Sequence, residues 1–423
     1  MLEKMTAINS HAPVANDDCP SREIALARWA SNASPSAVQT MLKVASSPEV
    51  ISFALGLPAS ELFPAADYCQ AVKQVLLNDR HSLQYGPPPE RLKAQVAELM
   101  KARGVSCDSA EVFLTAGAQQ GMSLLAHLTL NPGASVLVDE LTYPGFRQAI
   151  EPFEPQVLTV STDLSTGIRT DEVEHLLKQG VRPAFIYVIP NGHNPLAVTM
   201  DLAARHHLAD LARKFSVPII EDDAYGFLYY DTDQLPCLKE LAPEWVCYLG
   251  SFSKIMAPAL RIGWVLAPPK LAAKLAIVKE AADINTGTLA QRALAVYLDR
   301  GVFSEHLTNL RGEYQKRRDA MFNAVMRHFP AGTRCAKPIS GMFLWVRLSC
   351  PIDTGELLRV SLKTARVAFL PGDAFCGRKS GNQGCMRLNF SNCTIQQIED
   401  GVDRLASVLR QALLMNLQGN YSG

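Results

Sequence analysis

Between residues 110 and 270 the chain repeats one arrangement: a short β-branched run, a turn, then an amphipathic stretch of helical period. No other feature limits the fold as strongly. The runs Glu111 to Thr115, Ser135 to Asp139, Gln156 to Ser161, Ala184 to Ile189, Val217 to Glu221, Trp245 to Gly250 and Arg261 to Ala267 are near-continuously apolar. Such runs suit strands covered on both faces, so the pattern predicts an α/β fold, a mostly parallel seven-stranded sheet with helices such as Leu202 to Phe215 between its strands. Past Ser304 the pattern changes to a long charged helix (Glu305 to His328), a strand (Gly341 to Leu348) and a terminal amphipathic helix from about Thr394 to Leu414. These predict a second, smaller α+β domain, which fits a chain of 423 residues, past the size at which one core stops growing.

Charge narrows the partner. Lysine plus arginine total 41, as do aspartate plus glutamate, with no long block of either sign. A small molecule is therefore expected, with no nucleic acid and no membrane. Met1 to Pro20 lacks the basic start and apolar run of a signal peptide, and nothing later approaches a membrane span. The first twenty residues are expected to form a flexible tail. Ten cysteines without a C-x-x-C pair point to reduced thiols in the cytoplasm, and nine histidines without ligand spacing predict no metal.

In an open parallel sheet, ligands bind outside the carboxyl ends of the strands. After the first run comes Ala116-Gly117-Ala118-Gln119-Gln120 opening a helix, where free amides and the positive helix end can cradle an anion. After the second comes Tyr143, an aromatic able to lie flat on a ring. The fourth leads to Asn194, and the fifth to Asp222-Asp223-Ala224-Tyr225. The sixth delivers Ser251-Phe252-Ser253-Lys254, with Arg261 seven residues on: two hydroxyls and a guanidinium around a lysine describe a phosphate site beside an amine nucleophile. Each signal alone is matched by ordinary turn or capping chemistry. Their joint occurrence at successive strand ends is not.

These residues resemble the fold-type I aminotransferases dependent on pyridoxal 5'-phosphate (PLP), in the branch of 2-aminoadipate, kynurenine and aromatic aminotransferases. The resemblance runs from about Ile51 and includes Gly56-Leu57-Pro58, Arg317-Arg318-Asp319, Gly341-Met342-Phe343-Leu344-Trp345 and Met386-Arg387-Leu388-Asn389-Phe390-Ser391. After the expected tail over 1–20, it implies an N-terminal segment over 21–64 joining the small domain, a PLP-binding large domain over 65–303 and a small domain over 304–423. Lys254 is implied to carry the cofactor as a Schiff base and to shuttle a proton. Asp222 is implied to face the pyridine nitrogen, Tyr225 and Asn194 the 3'-oxygen, and Tyr143 the ring. Gly117, Ala118, Gln119, Ser251, Ser253 and Arg261 are implied to hold the phosphate, with Tyr85 reaching it from the second subunit of a homodimer. Arg387 is implied to bind the substrate carboxylate, with Gly56 and Asn194 also at the substrate.

The chain departs from the branch at Leu55 and Ser340, where glycine is usual, at Leu196-Ala197, where Thr-Gly is common, and in a shortened Tyr85-Gly86-Pro87-Pro88-Pro89 segment. Leu55 and the proline run are expected near the substrate mouth. The leading expectation is an aminotransferase acting on an amino acid and a 2-oxo acid; the alternative is a PLP enzyme catalysing elimination, replacement or cyclisation. A PLP-sensing transcription regulator is set lower, since the fifty residues before the first matching segment carry no basic helix-turn-helix pattern.

Overall fold

All seven expected runs enter one sheet. In this computed structural model, which describes residues 24–33, 41–42, 47–376 and 384–419, the strand order is Phe113–Thr115, Gly263–Leu266, Val246–Ser251, Ile219–Asp222, Ile186–Val188, Ser135–Asp139, Gln156–Val160. No end lies more than two residues from the expected one. Gly263–Leu266 runs antiparallel to both neighbours, and every other pair is parallel. The four central strands from Gly263–Leu266 to Ile186–Val188 are buried at every residue, as their unbroken apolar character requires. Gln156–Val160 is largely exposed, as befits an edge.

Two boundary expectations are corrected. Glu111 lies in the 3₁₀ turn Ser109–Glu111, where it closes a capping box with Asp108. Arg261 precedes its strand with φ 51°, at the end of the 3₁₀ turn Pro258–Leu260.

The helices behave as their stripes dictate. Leu202–Phe215 starts at Asp201, whose carboxylate accepts the Ala204 amide at 2.8 Å, a cap worth about 0.5–2 kcal/mol. It buries Leu208, Ala209, Leu211 and Ala212 on one face. Ala118–Thr129 buries Met122, Leu124, Leu125 and Ala126.

Downstream, helices Phe303–His328 and Ile395–Gly419 pack on each other, and an antiparallel sheet is ordered Arg334–Cys335, Phe343–Arg347, Cys385–Asn389, Leu370–Pro371. Ile51–Ser52 pairs in parallel with Val367–Ala368. The expected tail over 1–20 lies outside the described residues. The short helix Arg28–Asn32 belongs to a unit ending at Ser34, and residues 35–423 form the other unit. Among the described residues no helix is long and apolar enough to cross a membrane.

Candidate active site

Three consecutive acids leave the Ile219–Asp222 strand, and strand alternation sorts them. Glu221 points to one face, accepting the Leu238 and Lys239 amides at 2.8 Å each. Asp223 is held behind the sheet by Arg103 at 2.8 Å, Asn191 at 2.6 Å and Tyr248 at 2.8 Å. Asp222 faces a cavity of about 250 Å³ at the carboxyl ends of the strands. Its Oδ2 accepts the Tyr187 hydroxyl at 2.8 Å, and its Oδ1 has no hydrogen-bond partner among the described residues. Burial pushes this carboxyl up to about 6, against the pull of Tyr187 and the Ala224 amide.

Lys254 lies across the same cavity and donates to the Gly56 carbonyl at 2.7 Å. Its ammonium is brought down to about 8, first by burial and then by the guanidinium charges of Arg387 and Arg261, with Asp222 acting the other way. One end of the cavity is built for an anion. The Ala118–Thr129 helix points its first, unpaired amides there, beside Arg261, Ser251 and Ser253. Ser251 Oγ accepts the Ser253 amide at 3.1 Å, and Arg261 donates to the Ala116 carbonyl at 3.0 Å. Gly117, with φ 77°, must be glycine: a Cβ there would stand 2.6 Å from Arg261 Nη2. Gln119 donates to the Gly145 carbonyl at 2.6 Å, tying this helix to the turn that carries Tyr143.

At the other end sits Arg387, buried although its strand belongs to the downstream sheet. It donates to Asn194 Oδ1 and to the Ala54 carbonyl, both at 2.5 Å, and its Nε has no partner among the described residues. Its guanidinium lies 4.1 Å above the Phe343 ring, which meets Tyr225 edge-on. Asn194 also hydrogen-bonds the Tyr225 hydroxyl, and burial raises the Tyr225 and Tyr143 phenols above their ordinary value.

The cavity thus gathers Gly56, Ala118, Gln119, Tyr143, Asn194, Asp222, Tyr225, Ser251, Ser253, Lys254, Arg261 and Arg387, with Gly117 against Arg261. Tyr85 is not among them; it is 77% exposed on the surface. Leu55 lines the cavity and packs with Leu196 and Trp345 in one apolar cluster, so two of the departures meet. Ser340 pairs its hydroxyl with Thr199 at 2.6 Å. The proline run, expected at the mouth, instead lines a separate groove of this chain with Asp79, Arg91 and Arg292. Sequence reasoning missed Phe343 in the cavity wall and Tyr187 behind Asp222. Phe343 had only its place in a quoted motif, and Tyr187 had no signal beyond strand propensity.

The family model for aminotransferases of class I and II matches residues 48–405. Aromatic-amino-acid aminotransferase 1 of Thermococcus litoralis is 33% identical over 97% of this chain and 99% of its own. The 2-aminoadipate transaminase of Thermus thermophilus is 35% identical over 92% of this chain and 98% of its own. The structure of kynurenine aminotransferase from Pyrococcus horikoshii, solved in complex with PMP, superposes with a TM-score of 0.86 at 33% identity, covering 92% of this chain and 97% of that one.

Proposed function

Because the chain belongs to the class I and II aminotransferases, we propose that it holds PLP in the cavity around Lys254 and there moves an amino group from an amino acid to a 2-oxo acid. The observation that carries this reading is the pairing of two buried groups that face one cavity. Asp222 Oδ1 is a buried acceptor with no donor among the described residues, and Lys254 is a buried amine brought down to about 8. A protonated pyridine nitrogen suits the first, and an aldehyde suits the second. The helix end with Arg261, Ser251 and Ser253 fits a phosphate, since it offers amides, hydroxyls and a fork in one place.

When bound, the cofactor supplies the electron sink that lets a substrate α-carbon lose its proton. The chain's own groups do the rest. Lys254 would take and return the substrate α-proton on Nζ; burial and the nearby Arg387 and Arg261 charges lower its proton affinity, which favours the neutral amine this role needs. Arg387 grips the substrate carboxylate through its fork, already aimed by Asn194 and the Ala54 carbonyl. Tyr143 would lie against the ring, and Tyr225 and Asn194 would bond its 3'-oxygen. Leu55, Leu57 and Phe343 make an apolar wall that keeps water from the reacting atoms. No observation in the cavity favours elimination, replacement or cyclisation.

The working form is a homodimer on this reading. Leu77, Leu83 and Tyr85 are 72%, 77% and 77% exposed within one short stretch, an apolar strip that a second copy would cover. Tyr85 would then reach the partner's phosphate site. The deciding measurement is the half-reaction: an amino substrate should convert the bound pyridoxal spectrum to that of the pyridoxamine form, and a 2-oxo acid should restore it. Full turnover without the pyridoxamine form refutes amino transfer.

A further inference from the structure

Tyr187 lines no part of the cavity, yet its hydroxyl reaches the most exacting group in it. The residue sits mid-strand in Ile186–Val188, one strand over from Asp222 and 2% exposed. Its ring stacks on Phe146 at 3.7 Å and 10°, and Phe146 in turn meets Phe185 edge-on. The hydroxyl is thereby fixed between the sheet and the Pro144–Ile150 helix, and it donates to Asp222 Oδ2 at 2.8 Å. An aspartate carboxyl otherwise turns freely about its last torsion and presents either oxygen. Here one oxygen is occupied from behind, and the other is left without a partner among the described residues.

Resting on the reading of the cavity as a PLP site, we propose that Tyr187 is a positioning residue for the reaction: its hydroxyl clamps one oxygen of Asp222 so that the other, ionised, is presented to the cofactor's ring nitrogen. The groups acting on Asp222 make the clamp necessary. Burial and the neighbouring Asp223 charge favour its protonated form, while the Tyr187 hydroxyl, the Ala224 amide and Lys254 favour the carboxylate. Tyr143 and Tyr225 complete the surroundings as neutral phenols. Without the Tyr187 donor, burial and Asp223 are less opposed, so the ionised form that a pyridinium needs is favoured less.

The test is PLP titration of the apoenzyme, followed by absorption from pH 6 to 9, for wild type and Tyr187→Phe. Phenylalanine keeps the stack on Phe146 and removes only the hydroxyl. The dissociation constant should rise roughly ten- to hundredfold, the factor carried by a hydrogen bond to a charged group, and the pH at which the bound band titrates should move. In an Asp222→Asn background the same substitution should change the affinity less than about threefold, because no carboxylate remains to be clamped. Equal affinity and an unmoved pH profile overturn the proposal, and so do equal losses in the two backgrounds, which would assign Tyr187 to packing alone. The wild-type titration by itself reports on the PLP reading, and the variant ratios report on Tyr187.

Discussion

Two side chains concentrate the chemistry, and each makes a prediction. Arg387 spends its terminal nitrogens on Asn194 and the Ala54 carbonyl, so its plane is set before any carboxylate arrives. Lysine keeps the charge and loses the fork. Arg387→Lys should lower kcat/KM by roughly ten- to hundredfold, the cost of one charge-assisted hydrogen bond of about 1.5–3 kcal/mol. Steady-state kinetics on the best amino substrate decide it, and an unchanged value would leave Arg387 a structural role only. Lys254 predicts a pH dependence. Only the neutral amine attacks an aldehyde, and burial with two nearby guanidiniums brings that form in early, with a midpoint of about 8. The rate at which apoenzyme takes up PLP should therefore rise with pH and level off above that midpoint. Asp222→Asn removes a carboxylate charge that favours the ammonium and should shift the midpoint lower. A wild-type midpoint near the ordinary lysine value would contradict the account.

At the level of elements, the site depends on how a helix and a strand end. The Ala118–Thr129 helix can present its amides because Gly117 takes a backbone conformation closed to other residues and lets Arg261 pass close by. Gly117→Ala should cost about 1–3 kcal/mol from strain alone, read by denaturant unfolding, and should also weaken PLP binding. Stability intact with affinity lost would place its role in the phosphate cradle alone. Behind the sheet, Arg103 and Asp223 form an ion pair with both side chains at 0% exposure. Arg103→Ala leaves that carboxylate buried with the Asn191 and Tyr248 donors, and should destabilise the fold by about 3–5 kcal/mol. A loss below 1 kcal/mol would mean those two donors suffice.

For the whole molecule, the prediction concerns how many chains complete one site. Tyr85 stands on the surface, away from its own chain's cavity, within a strip of exposed leucines. If a second copy covers that strip, a mixture of Tyr85→Phe and Lys254→Ala subunits should form hybrids in which one site regains both groups. Their PLP affinity and activity per Lys254 should exceed those of the Tyr85→Phe parent. A catalytically competent monomer by light scattering would rule the shared site out.

By itself the sequence determined the seven strands, their mostly parallel character and the groups at their carboxyl ends, because strand runs, helix starts and turn residues are written in local patterns. Ser135–Asp139 appears with the expected bounds, and Lys254, Asp222, Tyr143 and Arg261 meet in one cavity. The Cys385–Asn389 strand was not legible as one, since Arg387 and Asn389 interrupt its apolar run, although all five residues are buried. Local pattern could not say which acid of Glu221, Asp222 and Asp223 faces the cavity, since alternation names two faces without saying which one is covered; the resemblance pointed to Asp222, and the fold places it there. Tertiary structure alone brought Arg387 to Asn194 and Ala54, and Phe343 beneath Arg387, across separations of up to 333 residues. The clamp of Tyr187 on Asp222 belongs with these. It arises from the register of two strands and the position of one helix, and no local pattern encodes a contact made only when distant segments pack.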